Sequence, residues 1–407
     1  MGSDEMNTSV SAPVRGRLAL AGDMVIATLD RRAHPHLAGQ SQAAGIGAFA
    51  RGALQSRWEA WNLPALAAVG GDTIYAYSRA GVVVALDLNG HERWRTAVPD
   101  DRSPQSQAWA DRDGPFQADV VAAGDSVYLA AGAEVLRLAA GNGQVLGRAT
   151  TCRSARGTIA RLAAAAGGER LVATCTERTE WDDLPPGAGG VVWQPAPPLV
   201  TRRTMPGDLV AFDLGLNEVW RLPPVSAEAV YGDERPVALE DGGVACVAAR
   251  AVKSDGGIRL LDIFTSWLLA VDGRNGTLRW QRENRSGHSQ PDPLAVPGGV
   301  VAGTAPVFYA LADGRPQWEV HVDRQGLVAG VTPVLDVDRE RLLAAGRTGI
   351  RAIGLRDGQV SDVAAYGPSP FSGSITTPLL KDGDTLYLGV EEAGAARLLA
   401  IRLSQAA

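Results

Sequence analysis

The stretch VALDLNGHERW (Val84–Trp94) sets a hydrophobic strand, an acidic turn and a tryptophan in a row, and the chain repeats that phrase. It returns as LVAFDLGLNEVW (Leu209–Trp220), LLAVDGRNGTLRW (Leu268–Trp280) and YALADGRPQW (Tyr309–Trp318). Degenerate copies are FARGALQSRW (Phe49–Trp58), LRLAAGNGQVLG (Leu136–Gly147) and IRAIGLRDGQVSD (Ile350–Asp362). An eighth, LLAIRL (Leu398–Leu403), breaks off before its turn. A unit of this size cannot bury its apolar face alone, so the repeat decides the architecture: stacked copies share a core.

Eight copies in 407 residues give about 50 residues per unit, the size of a four-stranded propeller blade. The second unit parses most clearly, as Pro64–Val69, Thr73–Ser78, Gly81–Leu86 and Glu92–Val98. Within it Tyr75 and Tyr77 alternate with Ile74 and Ala76, the period-two pattern of a strand with two different faces. Gly-Asp or Gly-Gly pairs recur before the second strands, for example at Gly70–Asp72, Gly124–Asp125 and Gly383–Asp384, where tight hairpins need positive φ. Thr158–Ala166 is alanine-rich but falls where other units place their innermost strand, and is assigned as strand. The expected fold is all-β, an eight-bladed β-propeller of four-stranded antiparallel blades; seven blades plus an irregular unit is the alternative. Residues 1–16 form an N-terminal extension, with Asn7–Val14 available to close the last blade, and residues 17–407 form a single domain.

The formal charge of -6 and the lack of any polybasic run argue against nucleic acid or an anionic membrane as partner. Only Lys253 and Lys381 are lysines among the 39 basic residues. Cys152, Cys175 and Cys246 are too few and scattered for a disulfide framework. Cys152 and Cys175 are placed to meet on neighbouring strands, yet buried free thiols are the favoured reading. Residues Met1–Gly16 lack the basic start and apolar run of a secretion signal, so the expected location is cytoplasmic, or periplasmic if a signal preceded them.

No catalytic signature emerges. There is no G-x-S-x-G elbow and no phosphate-binding G-x-x-x-x-G-K-[ST] loop. His34–Pro35–His36 lacks the third ligand that a zinc site needs, and Asp111-x-Asp113–Gly114 lacks the downstream glutamate of a calcium loop. Asp87, Asp213 and Asp272 recur, but each sits at a turn where an aspartate bonds local amides. No cofactor, metal or catalytic residue is expected.

The phrase A-x-D-x-x-x-G-x-x-x-W is carried in full by Ala270–Trp280, and by Ala85–Trp94 with one residue fewer in the turn. It resembles the quinoprotein-type repeat of PQQ-like β-propellers, a superfamily that includes quinoprotein alcohol dehydrogenases and the propeller lipoprotein of the outer-membrane assembly machine. With the weaker copies the resemblance extends over essentially the whole chain. It implies that Trp58, Trp94, Trp220, Trp280 and Trp318 dock on neighbouring blades as structural anchors, since an indole buries a large area while its N–H finds a carbonyl. Gly147 and Asp362 stand at the same position in two units, so those two seams are expected to be weaker. The dehydrogenases add vicinal cysteines, a calcium and a catalytic aspartate; the chain has no vicinal cysteines. The motif belongs to the scaffold and leaves function open.

The loops say more. Long excursions at Arg31–Gln42, Asp100–Gln117, Thr179–Gly207, Lys253–Phe264 and Glu283–Pro297 all fall on one face in this parse. They hold Trp109 and Phe116, Trp181, Trp193 and a Pro-rich run (Asp182–Pro198), and end near Ile263, Phe264 and Trp267. Long loops in compact folds are usually functional or disordered, and exposed tryptophan and arginine are typical of interface hot spots. The expected role is therefore a non-enzymatic scaffold that binds a protein or peptide through Trp109, Trp181, Trp193, Arg202 and Arg203. The alternatives are a periplasmic or membrane-associated propeller like the assembly lipoprotein, and a quinone- or small-ligand-binding enzyme using the axial funnel.

Overall fold

The computed structural model describes residues 7–30, 44–78, 81–98, 119–152, 157–177, 207–225, 229–231, 235–250, 265–285, 291–328, 331–366 and 373–403. Eight antiparallel sheets follow one another along the chain. Blade 1 is Val14–Ala21, Met24–Asp30, Ala44–Ala50 and Ser56–Trp61; blade 2 is Ala65–Gly70, Thr73–Ser78, Val82–Leu86 and Glu92–Ala97. Blade 3 is Val120–Ala123, Ser126–Ala131, Glu134–Ala139 and Val145–Thr150; blade 4 is Gly157–Ala165, Arg170–Glu177, Leu209–Asp213 and Glu218–Leu222. Blades 5, 6 and 7 end on Leu278–Arg285, Pro316–Glu319 and Val360–Ala365. Blade 8 takes Thr385–Glu392 and Ala395–Arg402 from the end of the chain and its outermost strand, Thr8–Ser11, from the beginning. The ring is an eight-bladed propeller, and the seven-bladed alternative falls.

The core explains why the strands look as they do. It is not one cluster but eight, one at each seam between consecutive blades. Each second strand is pressed between two neighbours, so Met24–Asp30 is buried at every residue. The alternation in Thr73–Ser78 separates two seams: Tyr75 and Tyr77 pack toward blade 3, Ile74 and Ala76 toward blade 1. Outermost strands face water on one side and bury mainly their tryptophan, as in Glu92–Ala97 around Trp94.

Five seams use one device. The indole N–H of Trp58, Trp94, Trp220, Trp280 and Trp318 donates to the carbonyl of Leu88, Ala140, Gly273, Leu311 and Leu355, respectively, at 2.8–2.9 Å. Every one of those carbonyls lies in the turn before the outermost strand of the next blade. The same turn offers a glycine to the ring face: Gly90, Gly143, Gly276, Gly314 and Gly358. A Cβ on any of these would come within 2.8 Å of the indole, and all five hold positive φ. In the three units that hold both, those of Gly90 and Trp94, Gly276 and Trp280, and Gly314 and Trp318, the tryptophan meets one neighbouring blade and the glycine receives the indole of the other. The recurrent aspartates close the turns: Asp87 accepts from the amides of Asn89 and His91 at 2.8 and 2.9 Å, and Asp272 from that of Arg274 at 2.9 Å.

The three remaining seams are built differently, and at two of them the expectation of a weaker join needs revision. Between blades 3 and 4 the tryptophan is replaced by Gly147 and the receiving glycine by Leu216, which holds φ 67° and fills the seam from the other side. Tyr128 Oη donates to Leu214 O at 2.7 Å, supplying the bond an indole makes elsewhere. Cys152 and Cys175 pair across the same seam as a disulfide, Cα atoms 5.6 Å apart. This corrects the expectation of free thiols: the two residues meet where consecutive blades pack together. Cys246 alone remains a buried thiol.

Between blades 7 and 8 no turn exists to receive a tryptophan, because the third and fourth strands of blade 8 come from opposite ends of the chain. Ion pairs take its place. Arg339 reaches Asp384 at 2.9 Å, and Lys381 reaches the fully buried Asp336 at 3.2 Å, where Arg341 also bonds at 2.9 Å. The last seam, between blades 8 and 1, carries Arg51–Asp382 at 3.0 Å, and Gly52 N donates to Tyr387 Oη at 2.9 Å.

Burial would raise Asp336, but Arg341 and Lys381 outweigh it and hold the carboxyl below its ordinary value. A carboxylate depressed in the folded state contributes stability that is present above the ordinary carboxylate range and is lost as pH falls through the depressed value. Thermal unfolding of wild type and Asp336→Asn is therefore expected to differ at neutral pH and to converge as pH falls below the ordinary carboxylate range. A gap that stays constant as the pH is lowered would show that Asp336 contributes nothing through its charge.

Candidate functional site

Antiparallel pairing fixes which ends of the strands share a face. Asp30 pairs with Ala44, Thr174 with Leu209, and Ala249 with Ser266; these pairs bracket residues 31–43, 175–208 and 250–265 on the face where each second strand ends. The outermost strands of blades 2 and 5 end on that face too, so the links to blades 3 and 6 leave from it. Among the described residues, the connections on the opposite face are short turns, such as Gly22–Asp23 and Gly124–Asp125. The expected interface residues Trp109, Trp181, Trp193, Arg202 and Arg203 lie outside the described residues, as do Ile263 and Phe264. Trp267 belongs to the strand Thr265–Val271 and packs partly against the blade 4–5 seam. Glu283 and Leu294–Val296 are strand rather than loop, which shortens the last excursion.

Beneath this face, five charged residues from five blades meet across the axial channel. Asp119, just before the innermost strand of blade 3, is 2% exposed. Its Oδ1 accepts from Arg17 of blade 1 at 3.1 Å and from Arg235 at the start of blade 5, and its Oδ2 accepts from the Leu162 amide of blade 4 at 3.1 Å. Arg17 also donates to Ala67 O of blade 2. The Arg235 amide donates to Asp292 of blade 6 at 2.8 Å. Arg161, on the innermost strand of blade 4, acts electrostatically on Asp119, Asp292 and Arg17. Burial pushes Asp119 and Asp292 up, while Arg161 and Arg17 pull both down; burial pushes Arg17 down, and Asp119 pulls it up. Nothing in sequence spacing links these residues, and reading the chain for motifs misses them.

The calcium–quinone site of the dehydrogenases does not fit this channel. Its two carboxylates face arginines or backbone amides, and among the described residues no three His, Cys, Asp or Glu gather as a metal would require. No described helix is long and apolar enough to cross a membrane.

A ring of eight four-stranded sheets, sealed at five seams by a tryptophan, is an eight-bladed β-propeller. The comparisons agree on that fold and add a resemblance to the PQQ-like repeat over part of the chain. The family model described as outer membrane protein assembly factor BamB matches residues 2–161. Among solved structures, BamB from Moraxella catarrhalis is 14% identical, with TM-score 0.57, over 97% of this chain and 98% of its own. The Dos1 propeller is 10% identical, with TM-score 0.61, over 98% and 95%. Quinohemoprotein alcohol dehydrogenase from Comamonas testosteroni is 9% identical, with TM-score 0.58, over 97% of this chain and 76% of its own. No curated protein sequence matches significantly. At these identities the solved structures speak for the fold alone.

Proposed function

We propose that this chain is a non-enzymatic propeller scaffold that binds a protein or peptide partner through its loop-bearing face, in an oxidising compartment outside the cytoplasm. The observation that carries the reading is sidedness: the strand pairings send the long insertions to one face of a ring whose other face has short turns. Sequence on those insertions is rich in interface-type residues: Trp109, Trp181, Trp193, Arg202 and Arg203. The compartment is supported by the Cys152–Cys175 disulfide, a bond rare in cytosolic proteins, and by the match to an outer membrane assembly factor. Both favour the periplasmic alternative over the cytoplasmic expectation.

Affinity capture from native extract with wild type and with residues 179–207 shortened tests the interface. Wild type is expected to retain a partner that the shortened chain loses, and the fivefold alanine variant of the named residues should lose it too. Recovery of identical partners by all three, or of none by any, overturns the reading.

A further inference from the structure

Asparagine precedes glycine at three places in the chain: Asn89–Gly90, Asn142–Gly143 and Asn275–Gly276. All three glycines receive a neighbouring indole, that of Trp58, Trp94 and Trp220, respectively. The pairing that builds the seam is also reactive. A glycine amide nitrogen has no Cβ beside it to hinder attack, and it closes a five-membered ring when it reaches the side-chain carbonyl of the asparagine before it.

The three asparagines are all exposed, but they are not held alike. Asn142 Oδ1 accepts from the Gln144 amide at 3.0 Å, and Asn275 Oδ1 from the Thr277 amide at 2.9 Å. Each bond fixes the side-chain torsion, whereas attack requires the flat face of that amide to turn toward the glycine nitrogen. Among the described residues the Asn89 side chain makes no hydrogen bond; its main-chain amide alone is engaged, with Asp87. The glycine nitrogens differ in the same sense. Gly90 N donates to Asp87 O at 3.1 Å, while Gly143 N and Gly276 N donate to Ala139 O and Asp272 O at 2.8 and 2.9 Å.

We propose that Asn89 is a self-modification site, converted by Gly90 to aspartate and isoaspartate. The Gly90 nitrogen attacks Asn89 Cγ, and the new C–N bond closes a succinimide. The Cγ–Nδ2 bond breaks, and Nδ2 leaves as ammonia with the proton that the Gly90 amide gives up. Water then opens the ring. Addition at Cγ returns an aspartate; addition at the main-chain carbonyl gives isoaspartate, whose backbone runs through Cβ and Cγ. No electrons are gained or lost. The isoaspartate path is longer by one carbon, about 1.5 Å of chain. That carbon enters between the two residues that grip Trp58: Leu88 O accepts its indole N–H at 2.8 Å, and Gly90 lies against its ring. Conversion therefore loosens the seam between blades 1 and 2. The turn joins the third and fourth strands of blade 2, on the face away from the long insertions, so the proposal stands apart from partner binding.

Incubating the full chain at mildly alkaline pH, folded and in denaturant, tests it. Peptide mass spectrometry follows the exchange of –NH2 for –OH at each asparagine. In the folded chain Asn89 is expected to convert at least about 5-fold faster than Asn142 or Asn275, the effect of one hydrogen bond to be broken first. In denaturant, where the turns are gone, the three should convert at similar rates. An isoaspartyl carboxyl methyltransferase should label the folded, incubated chain at residue 89, and the labelled fraction should unfold at a lower denaturant midpoint than the unconverted chain. Asn89→Ser, which removes the reacting amide, should take no label at this turn. No conversion at Asn89 in the folded chain, conversion no faster than at the other two, or the same ranking with and without denaturant overturns the site. A labelled fraction that unfolds at the unconverted midpoint overturns its action on the seam. Both comparisons use the wild-type chain, so neither depends on a variant that folds.

Discussion

Replacing Trp94 with alanine is expected to destabilise the protein by about 3–5 kcal/mol. The indole is 8% exposed and belongs to the blade 2–3 cluster with Tyr75, Val127 and Leu138. Its ring centre lies 6.0 Å from that of Tyr75, an aromatic contact worth something beyond burial alone. Its N–H donates to Ala140 O of the next blade at 2.8 Å. Truncation removes that bond and leaves a void that the neighbouring blade cannot fill. The surface opposite the ring is Gly143, held at φ 70°, which has no side chain to move in. Trp280→Ala should fall in the same range, since Gly314 and Leu311 O play the same parts there. Leu146→Ala, at a position 50% exposed on the outermost strand of blade 3, should stay within about 0.5 kcal/mol. Chemical denaturation measures all three, and an unchanged midpoint in both tryptophan variants would remove the indoles from the list of what seals the ring.

The tryptophans were visible in the sequence because each repeats at one position in a periodic phrase. Their glycine partners stood in the same phrase but gave no sign of which indole they meet, since the contact runs from one unit to the next. The departures show the same limit. Gly147 looks like a lost anchor until Leu216, 69 residues later in the chain, is seen to fill the seam. Asp362 looks like another, until the topology of blade 8 shows that no turn faces it. Local pattern carries the strands, the turns and the number of blades, because those depend on neighbours in sequence. The channel cluster depends on none: Arg17, Asp119, Arg161, Arg235 and Asp292 come from five blades and meet only because the ring closes. The loop-borne interface residues were legible as composition and remain a proposal.

Breaking the Cys152–Cys175 bond is the other change expected to cost most, about 3 kcal/mol for a Cys152→Ser, Cys175→Ser double variant. The bond closes a loop with a sequence separation of 23, and constraining the unfolded chain over that length accounts for a value of this order. Both residues are buried, at 5% and 1% exposed, and serine would place hydroxyls in an apolar cluster with Leu162, Val210 and Phe212. The effect falls on the one seam where a leucine and a tyrosine hydroxyl stand in for the indole, so it should appear as a loss of midpoint without loss of β-structure. Thiol counting tests the premise independently. Cys246 is fully buried and its thiol is pushed up to about 12 by burial, so the folded protein should react with no thiol reagent. Unfolded without reductant it should show one thiol, and after reduction three, the full cysteine count. Three thiols without reductant would mean that the pair is not formed, and would withdraw both the stability expectation and the strongest physical support for an oxidising compartment.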